Sequence, residues 1–145
     1  MKAKFKQAFM KTAYTFAELS SAVKLKVGAV VVKDDRIISL GYNGTPTGWD
    51  NCCEVEMDAI QDGGSYLKTK PEVIHAEMNA LMKLASSSES GKDAYMFITH
   101  APCIECAKGI YQTGIIKVFY TETYRSTAGL EFLEKCGITV ERLDG

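Results

Sequence analysis

The stretch AYMFITHAPCIECAKGIYQTGIIKVFYTE, residues 94–122, carries a strand, a helix and a second strand in succession. AYMFITH, from Ala94 to His100, is a short apolar run with aromatic and β-branched residues, the pattern of a strand. Pro102 opens a helix in CIECAKGIYQTG, and Gly114 stops it. IIKVFYTE returns to a strand. Such a unit places its two strands parallel, joined by a right-handed crossover. The pattern repeats downstream. STAGLEFLEKCG has Leu130, Leu133 and Glu134 at helical spacing and predicts a helix stopped by Gly137, and ITVERL predicts a last strand.

Towards the N-terminus, helix-period spacing resumes at His75 in VIHAEMNALMKL and ends before the polar loop SSSESGKD. Met78, Leu81, Met82 and Ala85 are its expected core contacts. VGAVVV, Val27 to Val32, then the turn KDDR, then IISLGY, Ile37 to Tyr42, predict a β-hairpin. NGTPTGWDN is a loop by its Gly, Pro and Asn content. Phe5, Phe9, Ala13, Phe16, Ala17 and Ser20 predict a first helix. Cys53 to Lys70 are read as a short helix ending near DGGS. The expected class is α/β: one domain over 1–145, a five-stranded mixed sheet, and helices on both faces.

The 17 basic and 18 acidic residues give a formal net charge of −1, with 46% apolar and 24% charged residues. That balance leaves no electrostatic footprint for a nucleic-acid polymer and argues for a small substrate. No apolar run approaches a membrane span of roughly 18 residues. MKAKFKQAFMKTAYTFAELS has no continuous apolar core and reads as a mature helix, so a reducing cytoplasm is the expected compartment. There, the five cysteines are metal-binding, catalytic or buried more readily than disulfide-bonded.

His75, Cys103 and Cys106 are one imidazole and two thiols, a donor set that suits zinc. In C-x-x-C spacing both sulfurs can turn to one ion. Each half of the set opens a helix, where exposed N–H groups favour thiolate. Three protein ligands leave a fourth position open, as in catalytic zinc sites. Glu77 follows His75 by two positions, so it need not bind the same ion; a carboxylate there can move protons. Alone, C-x-x-C also fits a zinc knuckle or two buried thiols, and a first-turn Glu also fits simple dipole compensation. Together, H-A-E and P-C-I-E-C match the H-x-E…P-C-x-x-C signature of zinc nucleobase deaminases.

On HAEMNAL, PCIECAKGIYQTGI, VFYTETY, GYNGTPTG and VGAVVVKDDRIISLGYNGTPTGWDNC, the chain resembles the cytidine and deoxycytidylate deaminase superfamily. The phage-type deoxycytidylate (dCMP) deaminases are the closest likeness. The resemblance implies the three-layer α/β/α fold of that family and hydrolysis of dCMP to dUMP and ammonia, supplying dUMP for thymidylate synthesis. It implies one catalytic zinc per subunit on His75, Cys103 and Cys106, with Glu77 shuttling protons between water, N3 and the leaving amino group. It further implies activation by dCTP, inhibition by dTTP, a homohexamer, and a host-cytoplasm location for a viral chain. Mg2+ is a candidate companion of the regulatory triphosphate.

The same resemblance assigns Lys26, Asn43, Ala76 and Tyr124 to the substrate, with Lys24 and Arg125 as weaker candidates for its phosphate. Tyr42, Asn43 and Gly44 fall in the segment where the family places regulatory nucleotide contacts. Each residue also has a plainer reading: Asn43 as an Asn-Gly turn residue, Tyr124 as a core aromatic, Lys26 as a solvated lysine. Cys52, Cys53 and His100 offer too few ligands for a second, structural zinc, and Cys136 suits a small buried position. Two competing functions stay open. One is a deaminase of another cytosine or adenine substrate: a tRNA adenosine or other nucleic-acid base, a nucleoside, free cytosine, or a riboflavin precursor. The other is a zinc-stabilised binding domain with a closed four-ligand site.

Overall fold

The structure, a computed structural model, describes residues 1–59, 63–123 and 125–144. Its elements are α1 (Ala3–Ala17), β1 (Gly28–Lys33), β2 (Arg36–Tyr42), β3 (Glu54–Asp58), β4 (Ser65–Thr69), α2 (Ala76–Ala85), β5 (Tyr95–His100), α3 (Ile104–Thr113), β6 (Lys117–Glu122), α4 (Ala128–Lys135) and β7 (Thr139–Arg142). Five strands form one sheet in the order β2-β1-β5-β6-β7. β1 pairs antiparallel with both β2 and β5, whereas β5, β6 and β7 run parallel. The expected mixed five-stranded sheet is therefore present.

β1 shows why the sheet needs helices on both sides. Ala29 and Val31 point into a core shared with Ala80, Leu81 and Leu84 of α2, Ala107 and Ile110 of α3, and Leu133 of α4. Val30 and Val32 point the other way, to Phe9, Met10 and Ala13 of α1. Side chains alternate across a strand, so one uninterrupted apolar run serves both cores. Phe97 and Phe119 stack on the α1 side with ring centroids 4.5 Å apart.

Two expectations are corrected. Among the described residues between Cys53 and Lys70 there is no helix: β3 and β4 form a separate antiparallel hairpin, with Glu54 opposite Thr69 and Asp58 opposite Ser65. Val55 and Met57 alternate with acidic residues, a period of two that cannot form a helical stripe. In α2 the buried residues are Ala76, Glu77, Ala80, Leu81 and Leu84, with Met78 packed against the core; of the expected contacts Leu81 and Met78 are present, whereas Met82 is 57% exposed and Ala85 is also exposed. Cys136 is half-buried at the C-cap of α4. No helix among the described residues is long and apolar enough to cross a membrane.

Candidate active site

The carboxyl ends of β5 and β6 open into a cleft of about 380 Å³. In open α/β sheets, ligands gather outside these strand ends, where the sheet changes direction. Here that point lies between β5 and its antiparallel neighbour β1.

Two helix starts converge on the cleft. His75 is the N-cap of α2 and Cys103 the N-cap of α3, and neither side chain caps its own helix. Both side chains therefore remain available across the gap. Close backbone packing holds the two starts in place. A Cβ on Gly41 of β2 would lie 2.6 Å from the Ala76 carbonyl oxygen, and one on Gly129 of α4 would lie 2.1 Å from that of Pro102. Asn79 adds a polar tie, donating from Nδ2 to the Tyr42 carbonyl at 2.8 Å.

His75 Nδ1 lies 3.3 Å from Cys106 Sγ and 3.6 Å from Cys103 Sγ. All three donor atoms fall within 4.8 Å of one another, forming the one such cluster among the described residues. Tetrahedral zinc with ordinary Zn–N and Zn–S bonds separates nitrogen from sulfur by roughly 3.6 Å. The donor set and its two nitrogen–sulfur distances thus fit zinc. The Cys103 thiol is pushed down to about 3, first by its hydrogen bond with Cys106 and then by that with His75. Cys106 is pushed up by the same Cys103 contact and by burial. His75 is raised, chiefly by its hydrogen bond to Cys103. The cluster thus holds negative charge on an accessible sulfur, as a metal-binding thiolate requires.

Glu77 sits in the first turn of α2, 5% exposed, and lines the cleft. Burial pushes its carboxyl up to about 6. A carboxyl group that neither holds nor releases its proton too firmly suits proton transfer near neutral pH.

The other expected residues divide. Ala76 and Asn43 line the cleft with His75, Glu77 and Cys103. Asn43 Oδ1 accepts from the Val27 N–H at 2.9 Å, and its Nδ2 donates to the Leu25 carbonyl at 2.8 Å. Its amide therefore braces the loop between α1 and β1. Gly44 forms a β-bridge with Ile74, the residue before His75, and Tyr42 ends β2. Neither Tyr42 nor Gly44 lines the cleft. Lys26 is exposed and outside the lining, and the lysine and arginine that line it are Lys24 and Arg125. Tyr124 lies outside the described residues.

Sequence reasoning missed Glu54 and Thr69, which line the cleft from the β3–β4 hairpin, beside Cys53 just before β3. The alternation in EVEMD was the available signal. Cys53 is buried and Cys52 exposed. His100 lines the cleft at the end of β5.

The His/Cys/Cys cluster is a candidate metal site on an α/β fold, and the family follows from the sequence. The chain belongs to the cytidine and deoxycytidylate deaminase zinc-binding family, whose model matches residues 3–122. It is 34% identical to the deoxycytidylate deaminase of Enterobacteria phage T4, over 79% of this chain and 76% of that protein. It is 37% identical to the deoxycytidylate deaminase of Saccharomyces cerevisiae, over 92% of this chain but 43% of the longer yeast protein. The structure superimposes with a TM-score of 0.87 and 45% identity on the dCMP deaminase of the cyanophage S-TIM5, crystallised with dCMP and dUMP, covering 99% of each chain.

Proposed function

We propose that this chain hydrolyses dCMP to dUMP and ammonia. The observation that carries the reading is a buried carboxylate, Glu77, set beside a zinc-fitting donor cluster in one cleft that also holds two cations. The relatives named above act on this nucleotide. When bound by His75, Cys103 and Cys106, zinc supplies a Lewis acid that makes water a nucleophile near neutral pH.

The chain's own groups do the rest. Glu77 takes a proton from the attacking water and delivers it to N3 of the cytosine, while the new C4–O bond forms. Glu77 then carries the second proton to the exocyclic amino group, the C4–N bond breaks, and ammonia leaves. No electron is gained or lost overall. Lys24 and Arg125 hold the 5′-phosphate by charge. Asn43 keeps one N–H after its bond to Leu25 and presents it to the sugar. Ala76 stands in the first turn of α2, where backbone N–H groups lack helical acceptors and can meet the pyrimidine carbonyl.

The same reading includes control by dCTP and dTTP through Tyr42, Asn43 and Gly44, and assembly into a hexamer. The Gly44–Ile74 bridge supports the first part, since a ligand displacing Gly44 would move the residue next to His75.

The test uses zinc-loaded protein with dCMP, deoxycytidine and a short single-stranded oligodeoxynucleotide in parallel. Preferred turnover of dCMP supports the proposal, and addition of dCTP or dTTP shifts that turnover if control is retained. Equal turnover of deoxycytidine, or a preference for the oligonucleotide, contradicts it.

A further inference from the structure

The loop between α1 and β1 forms one wall of the cleft and carries Lys24 into it. Val23, Lys24, Leu25 and Lys26 are all exposed. Buried Ala22 precedes these four residues and Val27 packs against the core after them, so between those two points polar ties must set the path of the loop. Asn43 supplies two of these, to Leu25 and Val27. Glu54 supplies two more, at the exposed run itself: one oxygen, Oε2, accepts from the N–H groups of Val23 at 2.9 Å and Lys24 at 3.0 Å.

Glu54 is 7% exposed and stands in the cleft wall. It is also the first residue of β3, in a hairpin that forms its own sheet apart from the main one. A carboxylate in the wall of a cleft that takes a phosphate opposes that ligand by charge. Its place there makes physical sense if its charge is directed elsewhere, and two converging N–H groups are such a target.

We propose that Glu54 is a positioning residue for substrate choice: it fixes the Lys24 backbone so that the Lys24 ammonium meets the substrate phosphate. This rests on the dCMP reading above. Glu54 acts through Lys24 and leaves the atoms that react alone. Its loss therefore weakens binding of the phosphorylated substrate, while turnover of bound substrate and the handling of the unphosphorylated nucleoside stay as they were.

The experiment measures kcat and KM for dCMP and for deoxycytidine in the wild type, E54A, E54D, E54Q, K24A and the double variant K24A/E54A, with thermal unfolding of each. In E54A, KM for dCMP is expected to rise about tenfold, the scale of losing a charge-assisted pair of hydrogen bonds, with kcat changed by less than about twofold. Deoxycytidine kcat/KM stays unchanged. E54Q keeps an acceptor oxygen and most of the preference for dCMP, whereas E54D withdraws the acceptor and loses it. If E54A does not fold, the contrast between E54D and E54Q decides the matter alone. E54A adds nothing to K24A, because both act through one ammonium. An unchanged dCMP preference in E54A and E54D, equal losses on both substrates, or losses that multiply with K24A would overturn the proposal. A wild type without any preference for dCMP would instead overturn the dCMP reading on which it stands.

Discussion

Replacing Gly129 with alanine tests whether α4 braces the cysteine-bearing loop. The added Cβ would lie 2.1 Å from the Pro102 carbonyl oxygen and 3.0 Å from both the carbonyl carbon and oxygen of Cys103. These atoms are backbone, so no side chain can swing aside. Either α4 recedes by more than about 1 Å or the loop from Pro102 to Cys103 shifts, since carbon and oxygen pack at roughly 3.4 Å or beyond. Overpacking of this kind costs about 1–3 kcal/mol. For a chain of this size that lowers Tm by about 3–10 °C. Cys103 is one of the three proposed zinc donors, so zinc affinity is expected to fall as well. Thermal unfolding and competition with a chromophoric chelator measure the two effects. Gly44→Ala is the control for stability, because a Cβ there meets nothing within 4 Å. A G129A protein with the wild-type Tm and the wild-type zinc affinity would refute the claim that this contact holds the loop.

Three further outcomes are expected. Glu77→Gln keeps the cleft's shape but not the proton carrier, so zinc stays bound while kcat for dCMP falls about 10²–10⁴-fold; metal analysis beside steady-state kinetics checks both halves. Cys106→Ala removes one donor from the cluster, and the protein should purify with well under one zinc per chain and lose the Tm gain that added zinc gives the wild type. Asn43→Ala deletes both bonds that brace Leu25 and Val27, which should cost about 1–3 kcal/mol in urea unfolding and raise KM for dCMP; unchanged stability would mean the loop holds itself.

Much of the metal site was legible because its ligands open helices. His75 and Cys103 occupy N-caps, and Pro102 and the H-A-E tripeptide marked those positions in the sequence. The parallel half of the sheet was legible for a related reason: Gly114 adopts the left-handed conformation that ends α3, and Gly137 a positive φ just beyond α4. In α2, Leu81 and Met78 meet the core as expected, whereas Met82 and Ala85 do not. Two apolar registers compete there, and the true one includes Glu77, which any hydropathy pattern counts as solvent-facing. The β3–β4 hairpin was missed because nine of its ten strand residues are exposed. A hairpin without a buried face has little hydrophobic pattern to declare it. That miss hid Glu54, whose role depends on backbone groups about 30 residues away. The work of Asn43 was hidden for the same reason: a side chain bonded to main-chain atoms of another segment leaves no trace in local spacing.

The most direct measurement follows dUMP and ammonia from dCMP in one preparation titrated from metal-free to zinc-loaded, with bound zinc counted at each step. The expected result is equimolar dUMP and ammonia, with activity rising in proportion to zinc and levelling at one ion per chain. Full dUMP formation in the metal-free protein, or none in the fully loaded protein, would contradict the assignment of this cleft to dCMP deamination.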